Sequence, residues 1–226
     1  MTFRAVIFDL GGVVFPSPFE AFDAYDHGNG LAKGTLRALI RRSSEEGAWA
    51  ALERGELSLD EFVVALEAEA DAAGFRLDAR KLMALIGSGL GPRPEMARAI
   101  EHIRARGLKT AALTNNWSDS ADAAKPGMAR RGSNVTDGRS PPHALHDMLA
   151  FDVIIESSVV GLRKPDPRIY ALALARLDVL ASEAVFLDDL GINLKPAREM
   201  GITTIKVADP ADALAELEAV LGFGLR

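Results

Sequence analysis

The chain has no cysteine among its 226 residues. Disulfides, thiolate catalysis and zinc–cysteine sites are excluded, and a reducing compartment fits. No apolar run is long enough to span a bilayer. The first residues lack the basic region, long apolar stretch and cleavage site of a secretion signal, so a cytoplasmic location is expected. Positive charge is in short supply: 26 Lys and Arg stand against 32 Asp and Glu, a formal net charge of −6. That balance disfavours nucleic acid and acidic membrane surfaces as partners. Asn134-Val135-Thr136 has the form of a glycosylation sequon, but without a secretion signal it reads as chance. What remains is ordinary for a soluble globular protein, with 48% hydrophobic and 26% charged residues. The length allows one substantial core, or one core plus a small attached unit.

Short β-rich runs alternate with longer amphipathic stretches, which predicts an α/β fold: a doubly wound, Rossmann-like parallel sheet flanked by helices. The strand candidates are Arg4–Phe8, Lys109–Leu113, Phe151–Ile155, Ala184–Leu187 and Thr203–Val207. They read as strands buried on both faces. Between them the helices are punctuated by caps. Met96, Ile100 and Ile103 recur at helical spacing before Gly107, and Asp166-Pro167 and Asp209-Pro210 each place an N-cap before a first-turn proline. Two stretches stand outside this alternation. Residues 16–92 hold no good strand and read as a helical insertion, with Phe62, Leu66 and Ala70 on one face of a helix over Ser58–Ala73. The core is then expected over 1–15 and 93–226. Within it, 118–146 is rich in Gly, Ser, Pro, Asp and Arg and reads as a long surface loop or a partly disordered segment.

Polar residues cluster where the predicted strands end, the edge at which open α/β sheets bind ligands. Asp9 with Gly11 and Gly12 follows the first strand, and Thr114-Asn115-Asn116 the second. Lys164 sits in the connection after the third, and Asp188-Asp189 closes the fourth. Each has a plainer reading alone: a helix cap for Asp9, a turn for Thr114-Asn115-Asn116, a solvated side chain for Lys164. Together, and in this order, they suit phosphoester hydrolysis. A carboxylate nucleophile divides it into two easier steps. Lys164, the Thr114 hydroxyl and nearby backbone N–H groups can offset phosphoryl charge. Asp9 with Asp188 or Asp189 makes the all-oxygen site that Mg²⁺ prefers.

These residues give the chain a resemblance, over nearly its whole length, to the haloacid dehalogenase-like hydrolase superfamily. The family pattern is a strand ending in Asp-x-Asp, a strand ending in Thr or Ser, a Lys, then an acidic pair. Here these are Asp9-Leu10-Gly11, Thr114, Lys164 and Asp188-Asp189. The runs from Leu113 to Trp117, Val160 to Tyr170 and Phe186 to Arg198 are most similar to the N-terminal phosphatase domain of soluble epoxide hydrolase. They are also similar to the related N-terminal domain of an acyl-CoA dehydrogenase family member. No nucleophile elbow of the epoxide-cleaving kind is found. The resemblance implies a small α-helical cap over 16–92, Asp9 as nucleophile, and Mg²⁺ held by Asp9, the Gly11 carbonyl, Asp188 and Asp189. It implies phosphate contacts from Thr114, Asn115, Lys164 and Gly12, with Lys164 neutralising charge. The expected partner is a small phosphorylated metabolite, on a monomer or homodimer.

The departure from the family pattern is Gly11. The resemblance implies an Asp there, which protonates the leaving oxygen and later activates water. General acid–base help of this kind contributes roughly 10²–10⁴-fold in rate. Three readings follow: a phosphatase for esters with good leaving groups, a weakened or inactive domain kept for binding, or a metal-free dehalogenase. The acidic pair argues against the last. His27, Arg41, Arg42, Trp49 and Arg54 can face the site or serve the surface and cap core, and Trp117 can wall the pocket or pack in the core.

Overall fold

The computed structural model describes residues 2–43, 45–88, 91–117 and 149–225. The predicted loop at 118–146 lies outside the described residues. Five strands form one parallel sheet: β1 (Ala5–Phe8), β2 (Lys109–Thr114), β3 (Val153–Glu156), β4 (Ala184–Asp188) and β5 (Thr203–Lys206), in the order β3-β2-β1-β4-β5. β1 lies at the centre, paired Phe8 to Ala112 on one side and Phe8 to Leu187 on the other. All four of its residues are fully buried. The alternation of a strand then assigns them to two layers. Val6 and Phe8 join Val185, Leu187 and Ile205 on one face, and Ala5 and Ile7 join Leu113, Ala184 and Phe186 on the other.

Helices cover both faces. The first is packed by α6 (Pro94–Ala105) through Met96, Ile100 and Ile103 and by α10 (Pro210–Leu221) through Leu214 and Leu217. The second is packed by α8 (Pro167–Leu177) through Ile169, Tyr170 and Leu177 and by α9 (Gly191–Glu199) through Leu194 and Ala197. A short helix, α7 (Ser157–Val160), follows β3 directly. The third strand starts two residues later than predicted. Phe151 is buried against Phe8, but its N–H donates to the Leu149 carbonyl at 2.6 Å, so its backbone turns instead of joining the ladder.

Between β1 and α6 lie α1 (Pro18–Gly28), α2 (Thr35–Ser43), α3 (Ala48–Glu53), α4 (Leu59–Ala72) and α5 (Ala79–Gly87). They build an apolar cluster of their own from Phe22, Leu36, Trp49, Phe62, Leu66 and Leu82. α4 starts with a capping box: Ser58 Oγ accepts from the Glu61 N–H, and Glu61 Oε2 accepts from the Ser58 N–H. The two chain segments joining this unit to the sheet are tied together, the Arg93 N–H donating to the Val14 carbonyl at 2.8 Å. No helix among the described residues is long and apolar enough to cross a membrane.

Candidate active site

β1 delivers Asp9 to the carboxyl edge of the sheet, and the Asp9 N–H donates across to Leu187 at 2.9 Å. β4 ends on Asp188, one strand away. Lys164, in the loop before α8, places its ammonium between them, 2.8 Å from Asp9 Oδ1 and 2.7 Å from Asp188 Oδ2. All three side chains are buried. Asp188 is held further by Asn193, whose Nδ2 donates to both carboxylate oxygens at 3.0 Å, and by the Leu190 N–H at 2.8 Å. Asp9 Oδ1 also takes the Leu10 N–H at 2.7 Å. Both contacts fall on Oδ1, so Oδ2 has no hydrogen bond from the described residues and is the oxygen left for an incoming group.

Asp189 is half-buried and completes an acidic cluster with Asp9 and Asp188, their ligand oxygens within 4.8 Å of one another. Burial pushes the Asp9 carboxyl well above its ordinary range, against the pull of Lys164, and the charges of Asp188 and Asp189 push the same way. Burial, helped by Asp188, also raises Asp189 to about 6. Burial works against the Lys164 ammonium, but the Asp188 and Asp9 carboxylates outweigh it and hold the ammonium above its ordinary value. Three carboxylates thus face one ammonium. An all-oxygen donor set with this charge deficit fits a hard divalent cation such as Mg²⁺.

Gly12 is required by its backbone. Its φ is +84°, and a Cβ there would lie 2.3 Å from Asp189 Oδ2. Its N–H donates to the Phe15 carbonyl at 2.9 Å. Gly11 carries no such backbone demand; a Cβ there would meet Pro18 Cδ at 3.3 Å. Thr114 is buried at the end of β2, with one long contact, 3.4 Å, from its hydroxyl to the Asn115 carbonyl. The Asn115 side chain is committed to Lys164. Its Oδ1 accepts from the Lys164 N–H at 2.8 Å, and its Nδ2 donates to the Lys164 carbonyl at 3.0 Å. Asn116 is spent on Glu156, Ser157 and Ser158.

Above this edge opens a cavity of about 560 Å³. Asp9, Gly11, Lys164, Asp189 and Asn193 line it from the sheet side, and Phe19, Phe22, Ile40, Arg41 and Trp49 from the helical unit, with Trp117 between. Of the residues weighed from sequence, His27, Arg42 and Arg54 do not reach it. Arg54 pairs instead with Glu56 at 2.6 Å. Two residues of the site escaped sequence reasoning, Asn193 and Glu53. Glu53 stands four residues after Trp49 on α3, and an acid sharing a helix face with a buried Trp is the signal available for it.

A carboxylate, a lysine and an acidic pair thus meet at the carboxyl edge of a parallel α/β sheet. The chain belongs to the haloacid dehalogenase-like hydrolase family, whose profile matches residues 3–201. Among its relatives is mouse acyl-CoA dehydrogenase family member 10, 38% identical over 99% of this chain and 20% of that protein. Pig bifunctional epoxide hydrolase 2 is 35% identical over 100% of this chain and 40% of that protein. The chain therefore spans less than half the length of these two relatives. The sesquiterpene phosphatase astK of Aspergillus oryzae is 25% identical over 98% of each chain. Among solved structures, a predicted HAD-like hydrolase from Porphyromonas gingivalis superposes with a TM-score of 0.64, at 20% identity over 98% of each chain, and so shares the fold.

Proposed function

We propose that this protein is a phosphatase that uses Mg²⁺ to hydrolyse a small organic phosphate by way of an aspartyl-phosphate on Asp9. The observation that carries this reading is the convergence of Asp9, Lys164, Asp188 and Asp189 on one end of the cavity. Family membership and a relative named as a phosphatase support it.

Asp9 Oδ2 attacks phosphorus and displaces the leaving oxygen, which departs as the anion or takes a proton from water. Water then attacks the same phosphorus, the bond to Oδ2 breaks, and phosphate leaves with Asp9 again a carboxylate. Lys164 holds Oδ1 in place and offsets phosphoryl charge, while the Thr114 hydroxyl would exchange its long contact to the Asn115 carbonyl for a phosphoryl oxygen. Asp9, Asp188, Asp189 and the Gly11 carbonyl would hold Mg²⁺, which when bound offsets the repulsion between carboxylate and phosphate. The helical unit over 16–92 acts as a cap that shields the site from water. The substrate is a small phosphorylated metabolite met in the cytoplasm.

Gly11 favours one second reading, a domain that binds a phosphorylated ligand without turning it over. Release of para-nitrophenol from para-nitrophenyl phosphate, with and without Mg²⁺, separates the two. Turnover that needs Mg²⁺ and disappears in Asp9→Asn is the expected result. Tight binding of a phosphoryl analogue without turnover would replace the phosphatase by the binding module. Halide release from a haloacid without metal would overturn both.

A further inference from the structure

We propose that Glu53, on helix α3 of the cap, is a positioning residue that fixes Lys164 by way of Asn115 and Arg163. Its carboxylate is buried and meets donors on both oxygens. Oε1 accepts from Trp49 Nε1 at 2.9 Å. Oε2 accepts from Arg163 Nε at 2.8 Å and from Asn115 Nδ2 at 3.3 Å. Arg163 is the residue before Lys164, and Asn115 grips the Lys164 peptide at both its N–H and its carbonyl. One carboxylate on the cap therefore touches both elements that fix the backbone from which the buried ammonium projects.

The donor arithmetic makes the choice of residue specific. Every neighbour donates and none accepts, so only a group that accepts on both oxygens satisfies the site. Leaving a buried guanidinium or carboxylate without its partner is expensive, which selects for the pair staying closed. Arg163 also reaches Glu45 at 2.6 Å, but that carboxylate is largely exposed and contributes little. The plain alternative is a buried ion pair that only holds cap to core. It predicts a loss of stability with Lys164 unmoved.

Glu53→Gln tests the difference, because it keeps the shape and turns one acceptor into an NH₂ facing donors. Two measurements are made on the full chain. Acetylation of each lysine is followed by peptide mass spectrometry, with exposed Lys195 as the internal reference. kcat and KM are measured on para-nitrophenyl phosphate with Mg²⁺. Lys164 acetylation is expected to rise about tenfold as the loop opens locally. kcat is expected to fall about 10- to 100-fold, as a misplaced catalytic group loses its geometry, with KM within about threefold. Arg163→Gln, nearer the surface, is expected to move both in the same direction and decides the matter if Glu53→Gln does not fold. Folded variants with Lys164 as protected as in the native protein overturn the proposal, whatever their melting temperature. The kinetic arm rests on the phosphatase reading. If the native protein has no turnover that reading fails, and the acetylation of Lys164 still decides the role of Glu53.

Discussion

Removing the Lys164 ammonium exposes how the site balances its charge. Lys164→Met keeps the length of the side chain and deletes the cation lying 2.8 Å from Asp9 and 2.7 Å from Asp188. Two buried carboxylates are then left facing each other. Breaking a buried pair by removing one partner costs about 3–5 kcal/mol, because the remaining charge has lost its compensation. For a chain of this size that lowers the melting temperature by roughly 6–20 °C. The loss must also depend on pH. Burial already holds the folded Asp9 carboxyl above its unfolded value, so the folded state binds protons more tightly than the unfolded one. Stability from this group therefore falls as pH rises from the ordinary carboxylate value through the raised one, and is regained on acidification. Without Lys164 the folded value rises further. The gap in stability between native and Lys164→Met is thus larger at pH 7.5 than at pH 5.5. Urea unfolding at the two pH values, read as midpoint and slope, measures it. A deficit under about 1 kcal/mol at pH 7.5, or one that grows on acidification, would refute the claim that this ammonium compensates buried carboxylates. Added Mg²⁺ is expected to recover more stability in Lys164→Met than in the native protein, since the metal and the lysine answer the same charge deficit.

Two substitutions beside Asp9 separate backbone demand from missing chemistry. Gly12→Ala forces an L-residue into φ +84° and sets a methyl 2.3 Å from Asp189 Oδ2, so Asp189 must move. The backbone alone contributes about 1–2 kcal/mol of destabilisation. Titration calorimetry with Mg²⁺ is expected to show at least about tenfold weaker binding, as for a disturbed ligand shell. Unchanged Mg²⁺ affinity would show that Asp189 does not need its present place. Gly11→Asp asks the opposite question. The new Cβ sits 3.3 Å from Pro18 Cδ, which a few tenths of an ångström of movement relieves. Turnover of alkyl phosphates is expected to rise, within the roughly 10²–10⁴-fold reach of a general acid, and that of para-nitrophenyl phosphate much less. A folded Gly11→Asp protein with no gain on alkyl phosphates would show that an acid at this position is not what limits the reaction.

The legibility of the fold follows from burial on both sheet faces. β1 and β4 are buried throughout, so their sequences are near-continuous apolar runs; Asp9 follows the first and Asp188 closes the second, and an apolar core holds neither acid without partners. Asp9 and Asp188 announce themselves by that break in pattern. Caps marked helices equally well: Asp166 with Pro167 and Asp209 with Pro210 act locally, within four residues. Hydrogen bonds between distant residues left no such trace. The Asn115 amide is bound to Lys164, 49 residues away. The Gly12 N–H turns back to Phe15. Glu53 meets Arg163 across 110 residues, a pairing that periodicity does not record. Local sequence therefore predicts which side chains reach the sheet edge, while their remaining hydrogen-bond capacity is decided by tertiary partners.

That distinction bears on how the leaving oxygen is protonated. Among the described residues, four acids line the cavity. Asp9 and Asp189 are the proposed nucleophile and metal ligands, Glu45 pairs with Arg163 at 2.6 Å, and Glu53 accepts three hydrogen bonds, one from a guanidinium. Burial raises the Glu53 carboxyl, but Arg163 pulls it back, and a protonated Glu53 would set a donor against donors. On the proposed reading each of the four is engaged by a cation or by the metal site, which leaves none of them free as a general acid beside Gly11. The apolar wall of Phe19, Phe22, Ile40 and Trp49 supplies no proton either. If the proposed phosphatase reading holds, the residue types around Gly11 favour substrates whose leaving group departs as a stable anion, such as acyl or aryl phosphates. An alkyl phosphate would need its proton from water. On this argument the glycine at position 11 is a determinant of substrate class, and a panel ordered by leaving-group acidity should show a steep dependence of kcat/KM that flattens in Gly11→Asp.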